Sequence, residues 1–519
     1  MALPAENLGA VLDATAAAAP ERVALIALDT QENAHTWTYA QLHAAAGQVA
    51  TALRARGHAP GERIAILAAN SARYLAAMLG IQRAGLVAVP VNFKFPAETI
   101  AYVVNDSGAC LVLHDTARAS AVPAGVATLD LDGPAWNELP PDDGQPAAAV
   151  AEHDLALMLY TSGSTGRPKG VRLTHASQYW TVRMRQIATP LADERTLIAA
   201  PLYHMNALAL ALLVLASGAS AVLLPQFTAP AYIRAIGRYR ATWLTAVPPM
   251  IAMMLREHAL LAATDLSSVR ALRMGSAPVS ASLWQQIHAM LPNARVINAY
   301  GTTEGGPVVF GPHPDGLPTP PTSVGYPHPA VQVRLAQGPQ DTPDTGILEL
   351  KSPGLMQGYH QRPDLGSPFS DDGYYRTGDV FQRDANGFYT FVGRRDDMFV
   401  SGGENIYPAE VERMLERHPA VQQACVVPIE DDIKGTKPVA FVVLRAGQTA
   451  DEASIKQFAL AHAPAYQHPR HVWFVSALPL ASTNKIDRAH LLREAGERTG
   501  RAIEQGAALS TTGNSHAHP

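Results

Sequence analysis

The run Leu155-Ala156-Leu157-Met158-Leu159-Tyr160 passes without a break into Thr161-Ser162-Gly163-Ser164-Thr165-Gly166-Arg167-Pro168-Lys169-Gly170-Val171. The first six residues read as a buried strand. The next ten hold four hydroxyls, three glycines and one lysine. Glycines let backbone N–H groups approach a polyphosphate, the hydroxyls add donors, and Lys169 supplies a positive point charge. Thr161, Ser162, Gly163, Ser164, Thr165, Gly166 and Lys169 are therefore candidate nucleotide ligands. The loop is not a Walker A motif, because the residue five places after Gly163 is Pro168 and no Gly-Lys follows.

Upstream of the loop, ERIAILAAN, YLAAMLGIQRAG, LVAVPV, TIAYVVNDSG and ACLVLH alternate strand-like and helix-like patterns. Such alternation predicts stacked βαβ units with parallel sheets. PPDDGQPAAA, within the region 130–150, is a connector. Alternation resumes after the loop and continues to INAYGTTEG. From about Gly311 short strands and turns take over, which predicts an antiparallel or barrel-like subdomain over 311–394. The remainder carries its own mixed set of strands and helices. The expected fold is therefore α/β and α+β: a large domain over 1–394, a small α+β domain over 395–505, and a polar disordered tail over 506–519.

Forty Lys and Arg against 45 Asp and Glu give a net charge of −5, with charged residues at only 16%. Nothing in this balance marks a nucleic-acid or anionic-membrane binder. The N-terminus lacks a basic segment followed by an apolar run, so a cytoplasmic location is expected. Ala207 to Leu224 is uncharged, but Ser217-Gly218-Ala219-Ser220 breaks it, so it reads as helix, turn and strand and not as a membrane span. Cys110 and Cys425 both lie among apolar residues, and both are expected to be buried free thiols.

Further segments follow in order: PLYH (201–204), NAYGTTEGG (298–306), YRTGD (375–379), GRRDDMFVSGGENIYPAEVE (393–412) and PLASTNKIDR (479–488). Together with the loop they resemble the motifs of the adenylate-forming superfamily, on its acyl- and aryl-CoA ligase branch, over nearly the whole chain. The resemblance implies an ATP-dependent ligase that makes an acyl-AMP, releases pyrophosphate and passes the acyl group to coenzyme A. The substrates it implies are ATP, CoA and a small carboxylic acid, with Mg²⁺ as the metal, and a homodimer is compatible with it. An enzyme with a carrier-protein or oxidative acceptor, and a nucleotide-binding homologue without catalysis, are the alternatives.

The resemblance also implies individual roles. Gly275, Ser276 and Ala277 would wall the adenine, with Asn298, Ala299, Tyr300, Gly301 and Thr302 beside it. Thr303 would touch the α-phosphate, and Glu304 would hold the metal, an oxygen ligand for a hard ion. Asp379 would accept both ribose hydroxyls, and Arg394 would reach the same sugar. Lys485 would steady the charge that develops as the carboxylate attacks the α-phosphorus. Asn484 stands where most relatives have glycine; relatives similar to the four-chlorobenzoate ligase share it, which points toward aryl acids. Asp396 would be the hinge for rotation of the small domain, and Gly402, Gly403 and Asn405 would line the CoA tunnel.

His204 would gate the acyl pocket, lined further by Met205, Asn206, Val247 and Met250. Amino-acid-activating relatives carry an Asp just after the gate, and malonate-type relatives an Arg within the segment matching VPPMIAMML. Here Met205 and Asn206 follow the gate, and no Arg occurs before Arg256. The expected substrate is therefore a monocarboxylate with an uncharged aryl or aliphatic body.

Overall fold

The structure, a computed structural model, describes residues 6–161, 167–275, 279, 281–338, 342–481 and 484–500. The first sheet has the order Ala127–Asp130, Ala109–His114, Arg63–Leu67, Val87–Pro90, Leu155–Thr161, Lys169–Thr174, parallel except for its last pair. A second, seven-stranded sheet runs Arg295–Asn298, Ala271–Met274, Trp243–Ala246, Arg195–Ile198, Ser220–Leu223, Val23–Leu28, Ala34–Thr38, again parallel except at its end. Val/Ile/Leu/Ala runs suit strands covered on both faces. The largest apolar cluster joins helices Tyr39–Ala55, Ala72–Arg83 and Met205–Ala216 to both sheets. Parallel strands end on a common edge, where α/β folds place their ligands.

Met205–Ala216 is a buried helix, followed by a turn at Gly218 (φ 67°) and the strand Ser220–Leu223, as the break in that apolar run predicts. Among the described residues no helix is long and apolar enough to cross a membrane.

A third sheet is antiparallel throughout, in the order Phe310–Gly311, Ser323–Pro327, Tyr389–Arg394, Tyr375–Arg383, Thr345–Lys351, Gln332–Ala336. The fourth belongs to the C-terminal region. Its long hairpin Val421–Asp431 and Gly435–Leu444 alternates sides with period two. Ala424 and Val426 face helices Pro408–Leu415 and Glu452–His462, while Cys425, Val427 and Ile429 face helix Arg488–Thr499.

One expectation about the cysteines is corrected. Cys425 is buried, but Cys110 is exposed. The register of Ala109–His114 on Arg63–Leu67 slips between Arg63 and Ile64 and skips Cys110, which turns its thiol outward. The thiol lies 3.5 Å from His58 Nδ1 and 3.4 Å from Glu62 Oε2.

His175 opens helix His175–Ala188, is fully buried, and accepts the Leu8 backbone N–H on Nδ1 at 2.9 Å. Burial pulls its pKa from 6.5 to about 4, with Asp154 opposing the shift. A depressed histidine pKa means that the folded state binds fewer protons, so the stabilisation is complete above the unfolded value and lost as pH falls toward the folded one. A loss on the order of 3 kcal/mol is expected between pH 6.5 and about pH 4. His175→Gln should flatten this part of an unfolding-versus-pH curve, read by denaturant titration.

Candidate active site

The carboxyl ends of both parallel sheets, the third sheet and the C-terminal region face one cavity of about 980 Å³. Thr161 ends its strand with the side-chain oxygen buried and without a hydrogen-bond partner among the described residues. Lys169 begins the next strand and lies 4.7 Å over the Tyr359 ring. Ser162 to Gly166, Ser276 and Ala277 fall outside the described residues, as do Ser482 and Thr483 of the last motif and the tail 506–519.

Across the cavity, Asn298 to Glu304 leave the end of strand Arg295–Asn298. The Asn298 amide donates to the carbonyls of Thr322 and Ser323 at 3.1 and 3.2 Å, which ties this turn to the third sheet. Thr302 Oγ1 accepts the Gly305 N–H at 2.8 Å. Gly301 has no room for more: a Cβ there would lie 2.8 Å from the Gly306 oxygen. The turn presents Glu304, 9% exposed, whose Oε1 accepts from the Tyr359 hydroxyl at 3.0 Å.

Asp379 lies in strand Tyr375–Arg383, opposite Arg394 in the adjoining strand. One carboxylate oxygen accepts the Tyr300 hydroxyl at 2.5 Å and the other accepts Arg394 Nη1 at 2.9 Å. Arg394 Nη2 also donates to Asp396 at 3.0 Å, so Asp379, Arg394 and Asp396 form one chain of charges. Burial raises the Asp379 pKa, against the pull of Arg394, the Tyr300 hydroxyl and Lys485. Burial and Asp379 together push the Tyr300 phenol well above its usual value.

Lys485 reaches the same cavity from the C-terminal region. Its side chain is solvent-accessible but enclosed by the cavity walls, and this loss of bulk solvent lowers its pKa. Asp379 and Glu304 oppose that shift and Arg394 adds to it. The loop holds its shape through Ala481 N–H to Lys485 O at 2.7 Å and Asn484 N–H to Ala481 O at 3.0 Å. Asn484 has φ 59°. Asparagine is among the few side-chain-bearing residues that tolerate this left-handed region, so it can stand where relatives have glycine.

His204 caps the start of helix Met205–Ala216, its ring edge-on to Tyr203 at 4.6 Å. Its Nε2 is buried without a partner among the described residues. Burial, with Lys485 and Lys94, pulls its pKa to about 3, so the ring is neutral at pH 7. Met205, Asn206 and Val247 also line the cavity. Met250 is not with them: it is fully buried in the core of the second sheet, and Ala252 and Leu255 take the lining positions from its helix. Gly402, Gly403 and Asn405 are not brought to the cavity either. They lie on the hairpin Phe399–Ser401 and Glu404–Ile406, with Gly402 and Gly403 in its left-handed turn.

The sequence reading passed over Tyr359, Thr377 and Arg273. Thr377 Oγ1 accepts the Asp379 N–H at 3.0 Å, and Arg273 lines the cavity from strand Ala271–Met274. An arginine within a short apolar strand was the visible signal for the last. The expectation of an uncharged substrate body rested on the lack of arginine in the helix after Val247; Arg273 enters from another strand and removes that ground.

Residues 12–360 match the family described as AMP-binding enzyme, and residues 410–485 match its C-terminal domain. The chain belongs to the AMP-binding enzyme family. It is 35% identical over 465 residues to a feruloyl-CoA synthase from Amycolatopsis sp, covering 88% of this chain and 94% of the relative. It is 30% identical over 509 residues to a sulfoacetate–CoA ligase from Cupriavidus necator, covering 94% and 98%. The solved structure of an anthranilate CoA ligase in complex with anthranoyl-AMP superposes with a TM-score of 0.86 at 26% identity, covering 96% of this chain and 99% of that one. This chain thus lies on the acyl-CoA ligase branch of the family and is an AMP-forming acid–thiol ligase.

Proposed function

We propose that this enzyme activates a carboxylic acid with an aryl or comparably sized body in two steps and delivers it to coenzyme A. The observation that carries the reading is one cavity holding Lys485 from the C-terminal region together with Glu304, Asp379 and Arg394 from the large one. In the first step an oxygen of the substrate carboxylate bonds to the α-phosphorus of ATP, the bond from that phosphorus to the bridging oxygen breaks, and pyrophosphate leaves. Lys485 faces the developing negative charge, Thr161 and Lys169 steady the departing phosphates, and Asp379 and Arg394 hold the ribose. Glu304 fits Mg²⁺ because its carboxylate is buried at the cavity wall and the Tyr359 hydroxyl engages Oε1, leaving Oε2 for a hard cation. When bound, that ion neutralises phosphate charge.

In the second step the CoA sulfur bonds to the acyl carbon and AMP leaves. The small domain, 395–505, turns about Asp396 to bring Gly402, Gly403 and Asn405 toward the site, and neutral His204 separates acyl chamber from thiol entry. The likeness to a feruloyl-CoA synthase and to an anthranilate CoA ligase favours an aryl body. The reaction is placed in the cytoplasm, and a homodimer is compatible with it.

Pyrophosphate release with Mg-ATP over a panel of benzoates, cinnamates and fatty acids tests the reading. Release should depend on the acid, and thioester should form only when CoA is added. Acid-independent ATP hydrolysis, or thioester formation without pyrophosphate, would overturn it.

A further inference from the structure

Of the cavity's cations that the two steps above leave unused, Arg376 and Arg488 are ion-paired with Glu349 and Glu412, and Arg413 donates to the carbonyls of Phe391 and Val392, which leaves Arg273. Arg273 pairs in register with Thr245 on one side and Ile297 on the other. Leu272 and Met274, its neighbours along the strand, are fully buried in the core on the opposite face. Strand alternation therefore turns Arg273 inward. Arg273 stands two positions before Gly275, another lining residue, roughly 6–7 Å along the chain from it. Lys485, Glu304 and Asp379 line the same cavity.

No carboxylate, carbonyl or hydroxyl among the described residues pairs with the Arg273 guanidinium. Behind it, on helix His175–Ala188, stands Arg185, likewise without an ion-pair partner among the described residues. Burial, then repulsion by Arg273, draws Arg185 to about 9, and burial draws Arg273 to about 10, so both are charged at neutral pH. Thr245, beside Arg273 in the sheet, has its hydroxyl buried and unpartnered among the described residues. Both arginine side chains are part-buried, and an enclosed charge without a counter-charge is uncommon, the more so with a second like charge nearby. A ligand with an oxyanion would relieve both.

We propose that Arg273 recognises a second anionic oxygen group, a carboxylate or a sulfonate, on the acid substrate, at the end remote from the carboxylate that is activated. This inference rests on the acid-activating reading above and names the class of acid. A guanidinium offers two parallel N–H donors to either group, and the enclosed setting strengthens that contact. An acid with an apolar end would leave the cation facing a methyl or ring edge, which a site built for polar contact rejects. Arg185 acts through Arg273, holding its charge toward the cavity.

The experiment uses the full-length enzyme and matched acids: 4-methylbenzoate against terephthalate, hexanoate against adipate, and 3-sulfopropanoate against butanoate. Pyrophosphate release gives kcat and KM separately. The dianionic member of at least one pair should be favoured about tenfold or more in kcat/KM by the wild type. Arg273→Met should cost that member about a hundredfold, chiefly through KM, and should reverse the preference, while ATP binding by calorimetry stays within about threefold. Arg273→Lys should fall between, and it decides the matter if Arg273→Met does not fold. Preference of the wild type for the apolar member in every pair, or a ratio unmoved by either variant, overturns the inference alone. Absence of release with every acid overturns the acid-activating reading, and the inference with it.

Discussion

Lys485→Ala should lower acid-dependent pyrophosphate release by about two to three orders of magnitude, while thioester formation from supplied acyl-AMP and CoA changes by less than about threefold. The asymmetry follows from where the lysine stands. Its side chain reaches a cavity whose other wall carries Glu304 and Asp379, and both carboxylates favour its charged form. In the adenylation step as proposed, negative charge passes from the attacking carboxylate to the α-phosphoryl oxygens and the departing pyrophosphate. A preorganised cation lowers that barrier more than it favours the ground state. On the two-step reading proposed above, the phosphoanhydride is already broken when the thioester forms, and a turn of the small domain about Asp396 would carry Lys485 away. Lys485→Arg should recover only part of the loss, because a planar guanidinium does not reproduce a compact ammonium. Equal losses in the two half-reactions would reject this assignment and point to a structural role for the loop.

Much of this layout was legible in the sequence because local pattern and global fold agree. The LALMLY run becomes a strand ending at Thr161, and the alternating segments before and after it become two parallel sheets whose carboxyl ends meet. Where the reading failed, a tertiary effect decided. Cys110 is flanked by apolar residues, but a register slip one strand away turns it out, and register is not a local property. Val247 precedes the short helix Pro248–Met254 that holds Met250, and both pack in the core of the second sheet, yet only Val247 also reaches the cavity. Arg273 sits among residues that read as core strand, and only the pairing with Thr245 and Ile297 shows which face it takes. Asn484 went the other way: its backbone angle supplies a physical reason for a residue that resemblance alone had marked as unusual.

Asp379→Asn should raise the KM for ATP by about a hundredfold with a smaller fall in kcat, and calorimetry should show the same loss in ATP affinity. The carboxylate now accepts from Tyr300 on one oxygen and from Arg394 on the other, and its backbone N–H is held by Thr377. Each oxygen retains a lone pair for a ribose hydroxyl. An amide has one acceptor and two donors, so the substituted nitrogen must confront either the phenol hydroxyl or the guanidinium. Whichever it faces, a buried donor loses its partner, and Arg394 loses the charge that balances it. Arg394 also donates to Asp396, the hinge proposed above, so the damage should pass to that position. Thioester formation from supplied acyl-AMP should therefore slow as well, by about tenfold, a coupling that distinguishes this variant from Lys485→Ala. If KM for ATP is unchanged while kcat collapses, the carboxylate serves the chemical step instead of the sugar. Asp379→Glu offers the complementary control: it keeps the charge but lengthens the side chain in a site where Asp379 is 5% exposed, so ATP affinity should fall while the Arg394 pairing survives.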